Sequence, residues 1–263
     1  MTNASSTPHP RVAFVTGGAQ GLGLGISRHL LASGWKVTLF DLDDEAGHEA
    51  LAAIGSTERD KTLFIKGDIA NEADVKLAIQ QTFDRFGRID GLVNNAAIAD
   101  PHSGDVESLE WDQWQRVINV NLGGVFLATK HATQHLRATK GAIVNIASTR
   151  AFQSEPNTES YAASKGGVVA LTHALAVSLA GDVRVNAIAP GWIEVGDWQK
   201  KANKTKPHHS DADKAQHPVG RVGTPNDIAQ AVSFLLDADK SGFMTGETMR
   251  IDGGMTRKMI YAD

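Results

Sequence analysis

Short apolar runs alternate with longer amphipathic segments along most of the chain. The apolar runs cover residues 11–16, 36–40, 62–65, 91–93, 142–146, 183–188 and 248–251. A run with no alternation of apolar and polar positions predicts a strand that is buried on both faces of a sheet. The intervening segments repeat apolar positions at helical spacing and cover residues 22–32, 44–54, 72–86, 111–136, 167–179 and 226–236. The pattern therefore predicts strands separated by single helices.

Strands joined in this way form parallel β-α-β units with right-handed crossovers. We expect an α/β fold in one domain, with a doubly wound, Rossmann-like parallel sheet of about seven strands and helices on both faces. Five strands are followed by polar or chain-breaking residues, namely Thr16, Asp41, Asn94, Ser148 and Pro190. Ligands of such sheets bind outside the carboxyl ends of the strands, so these residues are predicted to line one crevice.

Two segments depart from the alternating pattern. Residues 1–10 are polar and contain two prolines, which predicts a disordered tail before a single domain spanning residues 11–263. Residues 194–218 are polar and rich in Lys, His and Asp, which is typical of an excursion or lid rather than of core.

Composition excludes several classes of function. The formal charge of -4 gives no basic footprint, so nucleic acid is not an expected partner. The absence of cysteine removes disulfides and thiol chemistry and fits a cytoplasmic protein. Neither a signal peptide nor an apolar run of about 18 residues is present, so no membrane association is expected. The ten histidines lack metal-ligand spacing, and no metal site is predicted.

A glycine cluster follows the first predicted strand and opens the first predicted helix. Gly17, Gly21 and Gly23, with Gln20 and Leu22 between them, have the spacing G-x-x-x-G-x-G. Glycines here let the backbone turn tightly and leave the helix N-terminus open to a pyrophosphate. The glycines alone are equally consistent with a structural turn. A strand before them and a helix after them favour a dinucleotide.

Asp41, eighteen residues after Gly23, ends the second strand. A carboxylate there accepts a hydrogen bond from a ribose 2′-hydroxyl and repels a 2′-phosphate. Neighbouring Gln20 and Leu42 offer no cation for a phosphate. The prediction is NAD rather than NADP; the alternative is an aspartate that caps the next turn, as Asp43 or Asp44 could.

Tyr161 and Lys165 stand four residues apart, just before the helical pattern of residues 167–179, and are predicted to share a helix face. A cation within about 4–6 Å lowers a phenol pKa by roughly 1–3 units, which would suit Tyr161 to proton transfer. Taken alone, the pair is more often an ordinary surface pair.

With these residues placed, the chain from Arg11 to about Gly254 resembles the short-chain dehydrogenase/reductase family, in its short single-domain form. The matching stretches are residues 16–23, 67–69, 94–97, 119–121, Ser148, Tyr161 with Lys165, 190–191, 223–229 and 252–254. Each match is weak alone, but their common order is specific.

The resemblance implies a catalytic tetrad of Asn121, Ser148, Tyr161 and Lys165. Tyr161 would exchange a proton with the alcohol or carbonyl oxygen, and Ser148 would hold that oxygen. Lys165 would lower the pKa of Tyr161 and bond the nicotinamide ribose, while Asn121 would anchor a water leading to solvent. The structural alternatives are a helix-kink residue for Asn121 and a strand-end cap for Ser148.

The resemblance also implies the cofactor contacts. Besides Tyr161, Lys165 and Asp41, these are Gly17, Gln20, Gly21, Leu22, Gly23, Asp68, Ile69, Asn94, Asn95, Ala96, Pro190, Gly191 and Ile193. Two positions depart from the family pattern. Ala97 replaces a usual glycine, and Val195 replaces a threonine that often contacts the cofactor.

Substrate contacts are expected from Ser148, Arg150, Tyr161 and Trp192. Specificity is expected from the loop of residues 149–158 and from the substrate loop of residues 194–218. Polar groups beside tryptophan favour a small polar alcohol, sugar or polyol; alternatively, Trp192 and Trp198 pack the lid on the core.

Other functions stay open beside this one. They are reduction of a 3-oxoacyl or bulky ketone and a non-catalytic, NAD-binding regulatory role. A dehydratase or epimerase of nucleotide sugars would need a larger C-terminal domain. The resemblance further implies a homotetramer, or a homodimer, built on residues 111–136 and 161–179.

Overall fold

A seven-stranded parallel sheet forms the framework of the computed structural model, which describes residues 10–259. The strands are β1 (Val12–Thr16), β2 (Lys36–Asp41), β3 (Thr62–Lys66), β4 (Gly91–Asn94), β5 (Ala142–Ile146), β6 (Arg184–Pro190) and β7 (Thr248–Ile251). They lie in the order β3-β2-β1-β4-β5-β6-β7, and every neighbouring pair is parallel. The predicted doubly wound α/β fold is confirmed. Most of the predicted tail, residues 1–9, lies outside the described residues.

Helices connect the strands. They are α1 (Gly21–Ala32), α2 (Asp44–Ile54), α3 (Glu72–Phe86), α4 (Trp111–Ile118), α5 (Gly124–Thr139), α6 (Glu159–Ser178), α7 (Asp211–Ala215), α8 (Pro225–Leu236) and α9 (Ala238–Ser241). Local sequence fixes several ends: Asn71 caps α3 by accepting from the Ala73 and Asp74 amides, and Gly87 ends it in the left-handed conformation. None of the described helices is long and apolar enough to cross a membrane.

The core lies in two layers, one on each face of the sheet. Alternate residues of β1 contribute to the two layers. Val15 packs in the layer under α1, α2 and α8, and Phe14 packs in the layer under α3, α5 and α6. Each fully buried aliphatic side chain contributes about 1.5–3 kcal/mol. Helices therefore cover both faces of the sheet. The surface that stays open to a ligand is the carboxyl edge, where the carboxyl ends of the strands lie. The strand order reverses between β1 and β4 at that edge, which is where such sheets bind ligands.

The prediction of one long helix over residues 111–136 is wrong in one respect. A π-helical turn, Asn119–Gly123, interrupts it and separates α4 from α5. Apolar periodicity does not reveal one extra residue in a turn, so the pattern continued smoothly. Such turns occur often at functional sites.

Residues 194–218 form an excursion, but an ordered one. It contains two short 3₁₀ turns, Gly196–Trp198 and Lys201–Asn203, and then α7, whose first turn is closed by a capping box between Ser210 and Asp213.

Candidate active site

A cavity of about 720 Å³ opens at the carboxyl edge of the sheet. Most of the predicted site residues lie in its wall: Gly17, Gln20, Gly21, Leu22, Asp41, Asp68, Ile69, Asn95, Ala96, Ser148, Arg150, Tyr161, Lys165, Pro190, Gly191, Trp192 and Ile193. Gly23, Asn94 and Asn121 are not part of this wall. Residues from many separate elements thus share one cleft, as the ends of parallel strands predict.

The glycine loop owes its shape to close backbone contacts. Gly17 has φ +60°, and a Cβ on it would lie 2.9 Å from Ala96 Cα. A Cβ on Gly23 would lie only 1.9 Å from the Gly17 carbonyl oxygen. Gly23 therefore serves the packing of α1 against the loop. The sequence placed it among the cofactor contacts, whereas the structure buries it behind them.

The end of β4 is tied to this loop by Asn95 and Thr16. Asn95 Nδ2 donates to the carbonyl oxygens of Thr16 and Gly17, both at 3.0 Å, and Thr16 Oγ1 accepts from the Asn95 and Ala96 amides. Asn94 points elsewhere: its Nδ2 donates to Asn145 Oδ1 at 2.8 Å in the core. The predicted direct cofactor contact of the Asn94 side chain is therefore not supported by its position.

Asp41 both lines the cavity and fastens the loop. Its carboxylate accepts from the Ala19 amide at 3.0 Å and the Asp43 amide at 3.1 Å. Burial raises the pKa of Asp41, while the bonds from these two amides oppose that rise. Each carboxylate oxygen has more than one lone pair, so Asp41 can still accept from a ligand hydroxyl.

A second carboxylate, Asp68, lies in the wall near the end of β3. It accepts from Arg116 Nη1 at 3.2 Å, and Arg116 also lines the cavity. Sequence patterns did not indicate Arg116, because α4 is remote in the chain from Asp68 and carries no motif.

Tyr161 and Lys165 lie one turn apart in the first half of α6, as the spacing predicts. Lys165 is 3% exposed, and its Nζ donates to the Ile146 carbonyl at 2.9 Å and lies 5.6 Å from the centre of the Tyr161 ring. Burial lowers the pKa of Lys165 to about 8. A lysine buried without a counter-ion holds its proton weakly.

The pKa of Tyr161 differs from the sequence-based expectation. Burial raises it, whereas the hydroxyl of Ser148 and the charge of Arg150 act to lower it. Lys165 Nζ, which donates to the Ile146 carbonyl, lies 5.6 Å from the centre of the Tyr161 ring and makes no hydrogen bond to the phenol. The net shift of the Tyr161 pKa is upward, whereas the sequence-based expectation is a lowered pKa; a lowering by Lys165 stays a prediction.

Ser148 caps the 3₁₀ turn Thr149–Ala151, with its Oγ accepting from the Arg150 amide at 3.1 Å. It combines the structural role considered above with a place in the cavity wall beside Tyr161. The capping bond uses a lone pair and leaves the hydroxyl proton available to a ligand.

Asn121 lies in the π-helical turn and is 1% exposed. Its side chain accepts from the Ile98 amide at 2.8 Å and donates to the Ile98 carbonyl and to Ser164 Oγ. It thereby joins the π-helical turn to α6 one residue before Lys165. This is a positioning role, and the predicted water anchored by Asn121 stays a prediction.

The two tryptophans at and before the excursion have different surroundings, and each fits one of the two alternatives. Trp192 lies in the cavity wall and is 38% exposed. Trp198 instead packs on the core, with Arg28 over its ring at 5.6 Å. Trp192 thus fits a ligand contact, and Trp198 holds the excursion to α1.

The segment Gln199 to Lys201, here called the strap, crosses the glycine loop. Gln199 Nε2 lies 3.4 Å from the position of a Cβ on Gly21. Lys200 Nζ lies 2.9 Å from Asp43 and 2.8 Å from Glu45, and the Lys201 amide donates to Glu49. No sequence motif indicated Gln199, which occupies the side of the loop where Val195 offers only an apolar side chain.

These residues fit a nicotinamide dinucleotide. Gly21 has φ +57°, and its Cβ position would lie no closer than 3.4 Å to Gln199, so the backbone there is accessible to a ligand. The start of α1 is open to a pyrophosphate. Gln20 lines the cavity with a buried Oε1 that has no hydrogen-bond partner among the described residues. Within residues 10–259 no cluster of side chains is arranged to hold a metal ion. Fold and cavity together are those of the dinucleotide-binding class of α/β proteins.

Comparison with known proteins gives the family. The model of the enoyl-(acyl carrier protein) reductase family matches residues 17–256. An uncharacterised oxidoreductase of Thermotoga maritima is 48% identical, covering 96% of this chain and 98% of that protein. The 2-(S)-hydroxypropyl-CoM dehydrogenase 3 of Xanthobacter autotrophicus is 40% identical, covering 93% of this chain and 96% of that protein.

A solved structure agrees. The 3-ketoacyl-(acyl-carrier-protein) reductase of Brucella melitensis, complexed with NADH, is 32% identical and superposes with a TM-score of 0.82, covering 94% of this chain and 98% of that one. The chain belongs to the short-chain dehydrogenase/reductase family and is an oxidoreductase.

Proposed function

We propose that the protein is an NAD-dependent oxidoreductase that interconverts a secondary alcohol and a ketone, with Tyr161 as the proton donor and acceptor. The main support is the single cleft that joins the glycine loop and Asp41 to Ser148, Tyr161 and Lys165. When bound there, the nicotinamide supplies or accepts the hydride. The side chains of this protein have to hold both ligands and move one proton.

The preference for NAD rests on Asp41. Its carboxylate lies in the wall at the end of β2, where a ribose hydroxyl can donate to it and a phosphate is repelled. Two cations near this end of the cavity are already paired, Lys200 with Asp43 and Glu45 and Arg116 with Asp68. Lys66, beside Asp41 in the register of β2 and β3, does not line the cavity. The NADH complex of the Brucella melitensis reductase supports a nicotinamide cofactor of this kind.

Proton transfer is assigned to the phenol. Because burial raises its pKa, Tyr161 is protonated at neutral pH and suited to donate to the oxygen of a ketone as that oxygen gains charge. In the oxidative direction the deprotonated phenol takes the alcohol proton, which alkaline pH favours. Ser148 holds the same oxygen by donating its hydroxyl proton.

The substrate assignment is a small polar alcohol, sugar or polyol. Trp192 in the wall offers a flat apolar face, and Arg150 and Gln216 offer polar groups beside it. The relative that acts on 2-hydroxypropyl-CoM supports a secondary alcohol. The second candidate is reduction of a 3-oxoacyl substrate, which the 3-ketoacyl-(acyl-carrier-protein) reductase supports. A cytoplasmic location and assembly as a homotetramer or homodimer belong to the same proposal.

A screen of alcohols and ketones with NAD(H) and NADP(H) tests the function, with Tyr161→Phe assayed beside the wild type. Loss of the hydroxyl should lower kcat by at least about 100-fold. NADH affinity, measured by fluorescence titration, should change little because the ring is kept. If the variant turned over its substrate at the wild-type rate, the assignment of Tyr161 would be wrong. NADH binding without turnover of any substrate would favour the regulatory alternative.

A further inference from the structure

Arg150 places a positive charge at the catalytic end of the cavity. Its backbone amide donates to Ser148 Oγ, so the residue is held two positions from the proposed oxygen-binding hydroxyl. Its side chain lines the cavity with 23% of its surface exposed. Its charge also acts on Tyr161, where it lowers the phenol pKa, so it lies within electrostatic reach of the reacting position.

The partner of Arg150 is a carboxylate from the same loop. Arg150 Nη2 is in close contact with Glu155 Oε1, and Glu155 lines the cavity with 52% of its side chain exposed. Ion pairs with this much solvent access contribute little to stability. An incoming anion can therefore replace Glu155 at small cost, because the displaced carboxylate turns directly into water.

The remaining charged residues in the described wall are committed elsewhere. Arg116 pairs with Asp68, and Lys165 donates to the Ile146 carbonyl from a fully buried position. Asp41 lies at the end of β2, three strand spacings from β5, or about 14 Å. Arg150 is thus distant from the adenosine side of the cleft, and its charge is directed at the substrate rather than at the ribose of the dinucleotide.

We propose that Arg150 binds an anionic group, a carboxylate or sulfonate, carried by the alcohol or ketone substrate, and that Glu155 occupies this position when no substrate is bound. The planar guanidinium matches such a group with two parallel N–H···O bonds. The proposal rests on the function proposed above and narrows its substrate from polar alcohols to hydroxy or oxo acids. Glu155 then competes with the anionic group of the substrate for Arg150. A neutral alcohol does not need this position, so Glu155 disfavours its binding only weakly.

An equilibrium binding experiment tests this independently of turnover. The probes are cyclohexanecarboxylate and cyclohexanecarboxamide, which have similar shape, differ in charge and carry no oxidisable hydroxyl. Calorimetry on the full chain, with and without NADH, should show at least tenfold tighter binding of the carboxylate. Arg150→Met should abolish this preference, and Glu155→Gln should increase carboxylate affinity several-fold.

Arg137→Met is the matched control, since Arg137 pairs with a carboxylate, Asp182, at 3.5 Å on the exposed surface and does not line the cavity. It should keep the full preference. Equal affinity for the two probes in the wild type, or a preference that persists in Arg150→Met, would overturn the proposal.

Turnover measurements distinguish a failure of this proposal from a failure of the proposed oxidoreductase function. With 3-hydroxybutanoate and 3-hydroxybutanamide as substrates, the acid-to-amide ratio of kcat/KM should exceed ten in the wild type and fall to about one in Arg150→Met. If no alcohol or ketone reacted with either nicotinamide, the proposed function would fail, while the calorimetric preference would still decide the role of Arg150.

Discussion

Tyr161 is half-buried and Lys165 is buried, and this loss of solvent disfavours the charged form of each side chain. The pKa of the phenol is raised and that of the ammonium is lowered to about 8, and desolvation is the leading cause of both shifts. A bound dinucleotide and substrate would add hydroxyl groups to a pocket that here offers Lys165 one carbonyl. The fold thus holds this pair in place and leaves it incompletely solvated, as expected of a site that acquires partners from its ligands.

The pKa of Lys165 predicts how stability depends on pH. Because it lies near 8 in the folded chain and ordinarily near 10.5, the unfolded chain binds this proton more tightly. Stability is lowered below pH 8 and rises as pH rises from 8 towards 10.5. The free energy of unfolding of the wild type, relative to Lys165→Met, should rise by roughly 2 kcal/mol between pH 7 and 9.5.

Urea unfolding at a series of pH values measures this difference. Lys76→Met, at an exposed position on α3, is the control and should run parallel to the wild type. If the free energy of unfolding of Lys165→Met also ran parallel to that of the wild type across this pH range, burial would not perturb the pKa of Lys165.

Asp41 has two functions that substitutions can separate. Asp41→Ala removes both the ribose acceptor and the bond to the Ala19 amide, so NADH affinity should fall by about tenfold and the preference over NADPH should relax. Asp41→Asn removes the charge and keeps one acceptor for the loop. Dissociation constants of NADH and NADPH measure both effects. A wild type that binds NADPH more tightly than NADH would refute the assignment.

At the scale of elements, two irregular segments position the site. The π-helical turn positions Asn121 beside Ile98 and Ser164, and so connects the loop after β4 with α6. The strap holds Gln199 over the glycine loop through the ion pairs of Lys200 with α2 and its N-cap residue. Both segments join parts of the chain that are remote in sequence.

The strap predicts coupling between residues 194–218 and the dinucleotide. Lys200→Met removes both ion pairs, so Gln199 should leave the loop more readily and the dissociation constant of NADH should rise several-fold. The melting temperature should change little, because the Asp43 and Glu45 side chains are 26% and 59% exposed and ion pairs that keep contact with solvent contribute little. Lys204→Met, at an exposed position in the same excursion, is the matched control. If both variants bound NADH equally well, the strap would have no part in cofactor binding.

At the scale of the whole molecule, apolar side chains remain on the outer faces of the helices proposed for assembly. Phe126 on α5 is 50% exposed and Val177 on α6 is 78% exposed. Burial against a second copy would remove that surface from water. Light scattering should therefore give the mass of four 28.0 kDa chains, or of two if only one interface forms.

Phe126→Glu should lower that mass, whereas Leu77→Glu on α3, where the residue is 57% exposed, should leave it unchanged. A wild-type mass of one chain would contradict the assembly prediction.

Much of the fold was predictable because its signals are local. Buried strands, helix periods and the glycine loop depend on residues within a few positions of one another, and their alternation restricts the chain to a doubly wound sheet. The π-helical turn was not predictable in this way, since one additional residue in a turn leaves the apolar pattern intact. Arg116, Gln199 and the paired Lys200 also carried no signal, because their partners lie far away in the chain.

The sequence by itself determined the order of strands and helices, the candidate residues at the strand ends, and the family resemblance. Only the tertiary structure decided what each candidate side chain contacts. It turned Asn94 and Gly23 away from the cleft, brought Arg150 and Glu155 together beside Ser148, and directed Lys165 to a carbonyl rather than to the phenol. The physical reason is that spacing along a chain fixes which face a residue occupies, whereas hydrogen bonds, burial and pKa depend on neighbours that folding brings from elsewhere.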